Sequence, residues 1–351
     1  MKKLRWGVIG AGGIADRRTL PGMMIAKNAE LIAVMELRAE DAERLRAKYG
    51  AKRAYTNDEE LIRDPEIDAV YIASPVFLHP RQSIMAAQNG KHILLEKPFA
   101  LTSGEAQQVV DECSACGVKL AAGFMMRFGT YVQAIKREIE AGRIGQLVSC
   151  DSLFTCWYPD IPGAWRQEKK YSGGGALMDM GIHCIDLIRY ITGSRITQVA
   201  SMVATQTFSY EVDDASTLLL RLENGAICTV QSNFNIPDEA AKWRLNFFGT
   251  KGRLLGDSVI GQVDGGSVDA LYTTGDMGYD AQQNGQKQNQ KAIQLAAEFG
   301  NLYTREIENF GEAVLNGVPL VAPGQCAVDA QQIVEAAYRA DAEKRTIDLL
   351  T

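Results

Sequence analysis

Asp179, His183 and Asp186 are the residues whose types and spacing could most readily do chemistry. They fall in Ser172-Gly-Gly-Gly-Ala-Leu-Met-Asp-Met-Gly-Ile-His-Cys-Ile-Asp-Leu-Ile-Arg-Tyr190. Leu177, Met180, Ile188 and Ile191 recur at helical spacing, which predicts a helix over Gly175–Thr192 ended by Gly193. Residues three or four apart share a helical face. An apolar helix therefore carries a seam of two carboxylates and an imidazole. Buried polar groups need partners, so the seam is expected to face something polar, such as a substrate. The bland alternative is an Asp–His pair bonded to each other at a surface. A metal is not expected, because no thiol or second imidazole lies at ligand spacing.

The second chemical signal is Gly10-Ala-Gly12-Gly13-Ile14-Ala15, which fits G-x-G-x-x-A. The first glycine allows a tight turn, and the second lets the backbone approach a pyrophosphate. Ala15 lets the helix pack on the strand, and the helix N-terminus offers free N–H groups to the phosphates. Gly10, Gly12, Gly13 and Ile14 are thus expected at a dinucleotide. Glu36, followed by Leu37, ends the second strand, where a carboxylate can accept from both adenosine ribose hydroxyls and would repel a 2′-phosphate. This favours NAD. Arg38 keeps NADP open, since a nearby Arg can hold a phosphate. Ser74, His79, Glu96 and Lys97 fall at the carboxyl ends of later strands, where ligands bind in open parallel sheets. Lys97 reads as a cation beside a substrate's reacting oxygen, or simply as a loop cation.

The elements that must position these groups are read from periodicity. Strands are predicted at Leu4–Gly10, Ala29–Leu37, Asp68–Ala73, His92–Glu96 and Val118–Phe124, and helices at Asp41–Tyr49, Arg81–Asn89 and Ser103–Cys116. That alternation describes a doubly wound parallel sheet over residues 1–123. A helix over Tyr131–Glu140 crosses into a second domain, residues 124–351. There Leu147–Thr155, Ile196–Thr207, Ser216–Leu222, Ala226–Phe234 and Arg244–Gly249 read as strands, with hairpin signals at Asn224-Gly225 and Thr250-Lys-Gly252. The result is an α+β domain with a large, mostly antiparallel open sheet. The helix of Asp179 and His183 covers one face, and a subunit interface is expected on the other. Asp280–Gln290 is expected to be a polar loop, and Glu306–Leu315 and Gln325–Glu343 closing helices.

Composition bounds the partners. The 351 residues allow two cores, and 46% hydrophobic with 23% charged residues is ordinary for a globular protein. Net charge is −6 without a basic stripe, so no nucleic acid is expected. No apolar stretch is long enough to span a bilayer. Seven scattered cysteines point to reduced thiols and a cytoplasmic enzyme, and Cys113-Ser-Ala-Cys116 is weak evidence for a redox pair.

In order and spacing, Gly10-x-Gly12-x-x-Ala15, Glu96-Lys97-Pro98 and Gly173-Gly-Gly-x-x-x-Asp179-x-Gly181-x-His183-x-x-Asp186 resemble the glucose–fructose oxidoreductase / inositol dehydrogenase / rhizopine-catabolism (Gfo/Idh/MocA) family. The resemblance covers essentially the whole chain. It implies a Rossmann domain followed by an open-sheet domain, in homodimers or homotetramers. It also implies NAD(P)-dependent oxidoreduction of sugars, cyclitols or related hydroxy compounds, with Lys97, Asp179 and His183 matching the family's catalytic trio. Trp157, Tyr158, Trp165 and Arg166 fall where this family often borders its substrate, in a segment that looks a little like the anhydrofructose reductases. Arg127 is expected at the substrate as well. Two departures stand out. Val76 replaces an Asn common after the Ser/Thr-Pro pair, and Met125-Met126-Arg127-Phe128 predicts a more apolar pocket floor. Two rival functions remain: internal redox that cleaves or epimerises a sugar without net cofactor turnover, and a nucleotide-binding sensor without catalysis.

Overall fold

The computed structural model describes residues 2–241, 243–273 and 292–349. Six strands form the first sheet: β1 (Leu4–Ile9), β2 (Ala29–Met35), β3 (Arg53–Tyr55), β4 (Ala69–Ile72), β5 (His92–Leu95) and β6 (Leu120–Ala122). Their order is β3-β2-β1-β4-β5-β6, and every pair is parallel. The central strands are apolar on both faces because helices cover both. The chain crosses sides between β1 and β4, and this reversal opens a crevice at their carboxyl ends. β3 and the helix Asp58–Arg63 escaped the sequence reading. β3 has three half-buried residues and the helix six mostly charged ones, too few to show a period.

The second sheet contains β7 (Leu147–Thr155), β8 (Ile196–Ala204), β9 (Ala215–Leu222), β10 (Ile227–Asn233), β11 (Arg244–Gly249), β12 (Gly252–Asp257), β13 (Ser267–Tyr272), β14 (Ile293–Gln294) and β15 (Ile347–Asp348). Its order is β14-β13-β12-β11-β7-β10-β9-β8-β15. All neighbours are antiparallel except β7 and β10, which run parallel. Asn224-Gly225 joins β9 to β10, and Thr250-Lys251 joins β11 to β12, as the turn signals predict. The alternation in β9 places Leu218, Leu220 and Leu222 inward and Thr217, Leu219 and Arg221 outward. The predicted loop at Asp280–Gln290 lies outside the described residues.

Gln325–Glu343 is helical as predicted, and the helix Leu302–Asn316 returns to the first sheet. There Phe310 meets Trp6 with ring centroids 5.1 Å apart. The Asn28 side-chain amide donates to the Glu308 carbonyl at 2.9 Å. Thus the C-terminal part of the chain braces the strand that carries the glycine turn. Among the described residues no helix is long and apolar enough to cross a membrane.

Candidate active site

The chain leaves β1 through Gly10, whose φ of +71° is open to glycine and strained for other residues. A Cβ there would also lie 2.7 Å from the Ser74 backbone nitrogen, just past β4. The turn therefore closes tightly over the crevice. Gly10, Gly12, Gly13, Ile14, Glu36, Leu37 and Ser74 line one cavity of about 440 Å³. The Gly12 N–H donates to Glu36 Oε1 at 2.5 Å, which aims the carboxylate into that cavity. Among the described bonds only this oxygen of Glu36 is used, so the other remains available as an acceptor. The tight turn, the cavity beside it and the available carboxylate oxygen fit an adenine dinucleotide.

A second cavity of about 460 Å³ adjoins it, with Ile14, Arg17, Ala73, Ser74, Trp165 and Arg166 on the walls of both. Lys97, Asp179 and His183 line this cavity, together with His79, Glu96 and Tyr158. Lys97 follows β5 in the loop Glu96-Lys97-Pro98. Its Nζ donates to Asp179 Oδ1 at 2.7 Å and to the Asp179 carbonyl at 2.8 Å. Burial alone would raise the Asp179 carboxyl, but Lys97 and Arg166 outweigh it and hold the pKa at about 2. Asp179 is therefore a carboxylate at every working pH.

Asp179 sits in a π-helical turn, Leu177–Gly181, that runs into the α-helix Ile182–Thr192 and ends at Gly193 with φ +63°. The predicted single helix thus begins wider than an α-helix. Its start is held by a residue the sequence reading missed. The Asp213 carboxylate accepts from the N–H groups of Gly175 and Leu177, both at 2.8 Å, and from the Tyr338 hydroxyl at 2.7 Å. These are amides a helix start leaves unpaired. A Cβ on Gly175 would lie 1.9 Å from the Asp213 carbonyl oxygen, so the glycine lets the loop before β9 meet the helix start.

His183 is buried, with Phe124 and Phe154 edge-on to its ring at centroid distances of 5.9 and 6.4 Å. Among the described residues its buried Nδ1 has no hydrogen-bond partner. The surface Asp–His pair considered as an alternative does not form, since Asp179 turns to Lys97. Burial first, then the Lys97 charge, push the imidazole pKa well below its ordinary value, against a smaller opposing effect of Asp179. His183 is neutral and able to accept a proton.

Three expectations need correction. Asp186 lines neither cavity. Seven residues beyond Asp179 the helix has risen about 10 Å, past the cavity wall. There the Asp186 carboxylate receives Arg127 Nε at 2.9 Å and Nη2 at 2.6 Å. Arg127 is consequently not on either cavity. Its short helix Met125–Phe128 turns Met125 and Met126 to the cavity and Arg127 away, over the Tyr190 ring at 4.6 Å. Trp157 also lines neither cavity: it packs on Phe208 at 5.0 Å near the surface. Tyr158, Trp165 and Arg166 do line the second cavity, with the Arg166 guanidinium 4.4 Å from the Trp165 ring centroid.

His79 and Glu96 reach the cavity wall but have structural partners. Both His79 ring nitrogens lie 2.8 Å from backbone carbonyls, those of Pro98 and Ser74, and burial lowers its pKa to about 4. Glu96 Oε1 accepts from the Tyr71 hydroxyl at 2.6 Å. Val76, Met125, Met126, Phe154, Phe234 and Trp243 supply apolar wall, in keeping with the expected apolar floor. Arg17, Arg18 and Tyr303 line the cavity unannounced. The arginine pair does follow the glycine motif by one turn, which was a usable signal; Tyr303 arrives from the far end of the chain and gave none. Cys113 is buried, Cys116 is exposed and all seven thiols are free.

Comparison with known proteins agrees with this fold. Residues 4–124 match the oxidoreductase family with an NAD-binding Rossmann fold, and residues 132–255 match the GFO/IDH/MocA C-terminal domain. The chain belongs to the Gfo/Idh/MocA family. It is 28% identical over 311 residues to 1,5-anhydro-D-fructose reductase of Ensifer adhaerens, covering 88% of each chain. It is 32% identical over 246 residues to trans-1,2-dihydrobenzene-1,2-diol dehydrogenase of Danio rerio, covering 68% of this chain and 71% of that one. Aldose-aldose oxidoreductase from Caulobacter crescentus superposes with a TM-score of 0.88 at 25% identity, over 99% of this chain and 100% of that one. This member of the family is an oxidoreductase with an NAD-binding Rossmann domain.

Proposed function

We propose that this oxidoreductase moves a hydride between a nicotinamide and a secondary alcohol or ketone carbon of a sugar, cyclitol or sugar derivative. The observation that carries this reading is that Lys97, Asp179 and His183 share one cavity, contiguous with the cavity at the glycine turn. NAD, when bound, supplies the hydride acceptor. The chain's own residues do the rest. His183, neutral and in the cavity wall, takes the hydroxyl proton. Lys97 donates to the same oxygen and stabilises the charge that develops there. Asp179 fixes the Lys97 ammonium through two contacts at one point and can accept from a neighbouring substrate hydroxyl. Tyr158 and Trp165 offer aromatic faces to the C–H face of a ring.

Glu36 favours NAD over NADP, because a carboxylate at the ribose repels a 2′-phosphate. The two domains divide near Gly123. The outward face of the second sheet carries exposed Met202, Leu219 and Ile227 on three adjacent strands, which supports a homo-oligomer formed through that face. Light scattering that finds a monomer at working concentration would remove that last inference.

The deciding experiment is nicotinamide absorbance on mixing the protein with NAD⁺ or NADP⁺ and a panel of aldoses, cyclitols, anhydro-sugars and glycosides. NADH formation with one class of alcohol supports the reading. A cleaved or epimerised sugar without net NADH would replace it with internal redox.

A further inference from the structure

The second cavity is cationic in a chain whose net charge is −6. Arg17, Arg18, Lys97 and Arg166 line it, against two carboxyl groups, Glu96 and Asp179. Lys97 and Asp179 neutralise each other at 2.7 Å. Glu96 accepts from the neutral Tyr71 hydroxyl and still counts, so the cations outnumber the carboxyl groups on this wall four to two. The three guanidiniums make no ion pair among the described residues. Arg18 bonds the uncharged Gln262 amide at 3.3 Å, and Arg166 lies on the Trp165 ring at 4.4 Å. Most arginines of this chain reach a carboxylate, so three without one around a single cavity call for an anion.

The dinucleotide accounts for only part of this charge. Arg17 and Arg166 line both cavities, and Arg17 follows the glycine turn, so Arg17 is placed for the pyrophosphate. Arg18 lines only the cavity of Lys97 and His183. Arg166 lines the cavity of Lys97, Asp179 and His183 as well, and its charge helps keep Asp179 ionised. An oxidised nicotinamide adds positive charge rather than removing it. We propose that the substrate is an anionic sugar, whose carboxylate or phosphate is held in the field of Arg18 and Arg166 while a ring hydroxyl meets Lys97 and His183. This rests on the oxidoreductase reading of the same cavity and names its substrate class.

The test separates binding from turnover. The protein saturated with NADH is titrated calorimetrically with glucuronate, glucose 6-phosphate and glucose, at low and high salt. The variants Arg18→Gln and Arg166→Gln are treated alike, after confirming that they melt normally and bind NADH. One anion is expected to bind about 10–100-fold more tightly than glucose, as a charge-assisted contact implies. That preference should shrink at high salt and in each variant. The glucuronate and phosphate arms show which anion is meant. Equal binding of all three sugars, or an anion preference untouched by both variants, overturns the proposal. Oxidation of glucose and other neutral sugars by NAD⁺ with no anion preference also overturns it, while leaving the dehydrogenase intact. Tight, salt-sensitive anion binding with no NADH formed when NAD⁺ replaces NADH upholds the anion subsite and overturns the sugar-oxidation reading.

Discussion

Replacing His183 with Gln tests the role assigned to the imidazole, and its environment fixes what the pH profile must look like. An ordinary histidine with a pKa of ~6.5 would be only about one-tenth neutral at pH 5.5, so a rate needing the neutral form would fall roughly tenfold below its plateau. Here burial and the neighbouring Lys97 charge keep the ring neutral well below that value. The Asp179 carboxyl, held at about 2, contributes no limb in this range either. In the wild type kcat/KM with saturating NAD⁺ is therefore expected to change by less than about twofold between pH 7.5 and 5.5. His183→Gln should lower kcat by about 10²–10⁴-fold throughout, the usual contribution of a positioned base. NAD⁺ binding should survive, because His183 does not line the glycine-turn cavity. Stopped-flow absorbance across this pH range, with cofactor affinity measured separately, reads both quantities. A wild-type acid limb near 6.5 would refute the electrostatic argument. A His183→Gln turnover within a few-fold of wild type would refute the assignment itself.

Three further outcomes are expected. Glu36→Gln should raise the KM for NAD⁺ about 10–100-fold, since a charged acceptor is lost at the ribose, and should shift the NADP⁺/NAD⁺ preference upward in steady-state assays. An unchanged preference would show that Glu36 does not select the cofactor. Arg127→Met leaves the Asp186 carboxylate buried and unpaired, destabilising the fold by about 3–5 kcal/mol in denaturant titration. Adding Asp186→Leu should recover most of that stability, and substrate KM in the double variant should stay near wild type. A large KM increase there would return Arg127 to the substrate site. Gly175→Ala forces a Cβ to within 1.9 Å of the Asp213 carbonyl, so scanning calorimetry should show Tm lowered by at least about 3 °C. An unaltered Tm would mean that the helix start is not held by close approach.

How much of this was legible before the structure depended on whether the signal was local. The first sheet could be read strand by strand because each central strand is a short apolar run ending in a motif residue: Gly10 after β1, Ser74 near the end of β4, Glu96 after β5. Spacing and resemblance single out Lys97, Asp179 and His183, and the fold brings all three to one cavity. Asp186 shows where spacing stops being informative. On a regular α-helix it would share a face with Asp179 and His183. A face, however, is not a site, because a cavity spans two turns and the helix spans more. The arginine that claims Asp186 comes from fifty-nine residues earlier and carries no periodic mark. Asp213, which fixes the start of the same helix from a loop thirty-six to thirty-eight residues later, is equally silent. Each of these partners was decided by long-range packing, which single-chain patterns do not encode. The cationic wall lies between these cases. Arg17 and Arg18 could be placed from their position after the glycine turn, but their lack of carboxylate partners is a fact about the whole fold. That missing compensation, rather than the arginines themselves, is what ties the cavity to an anion.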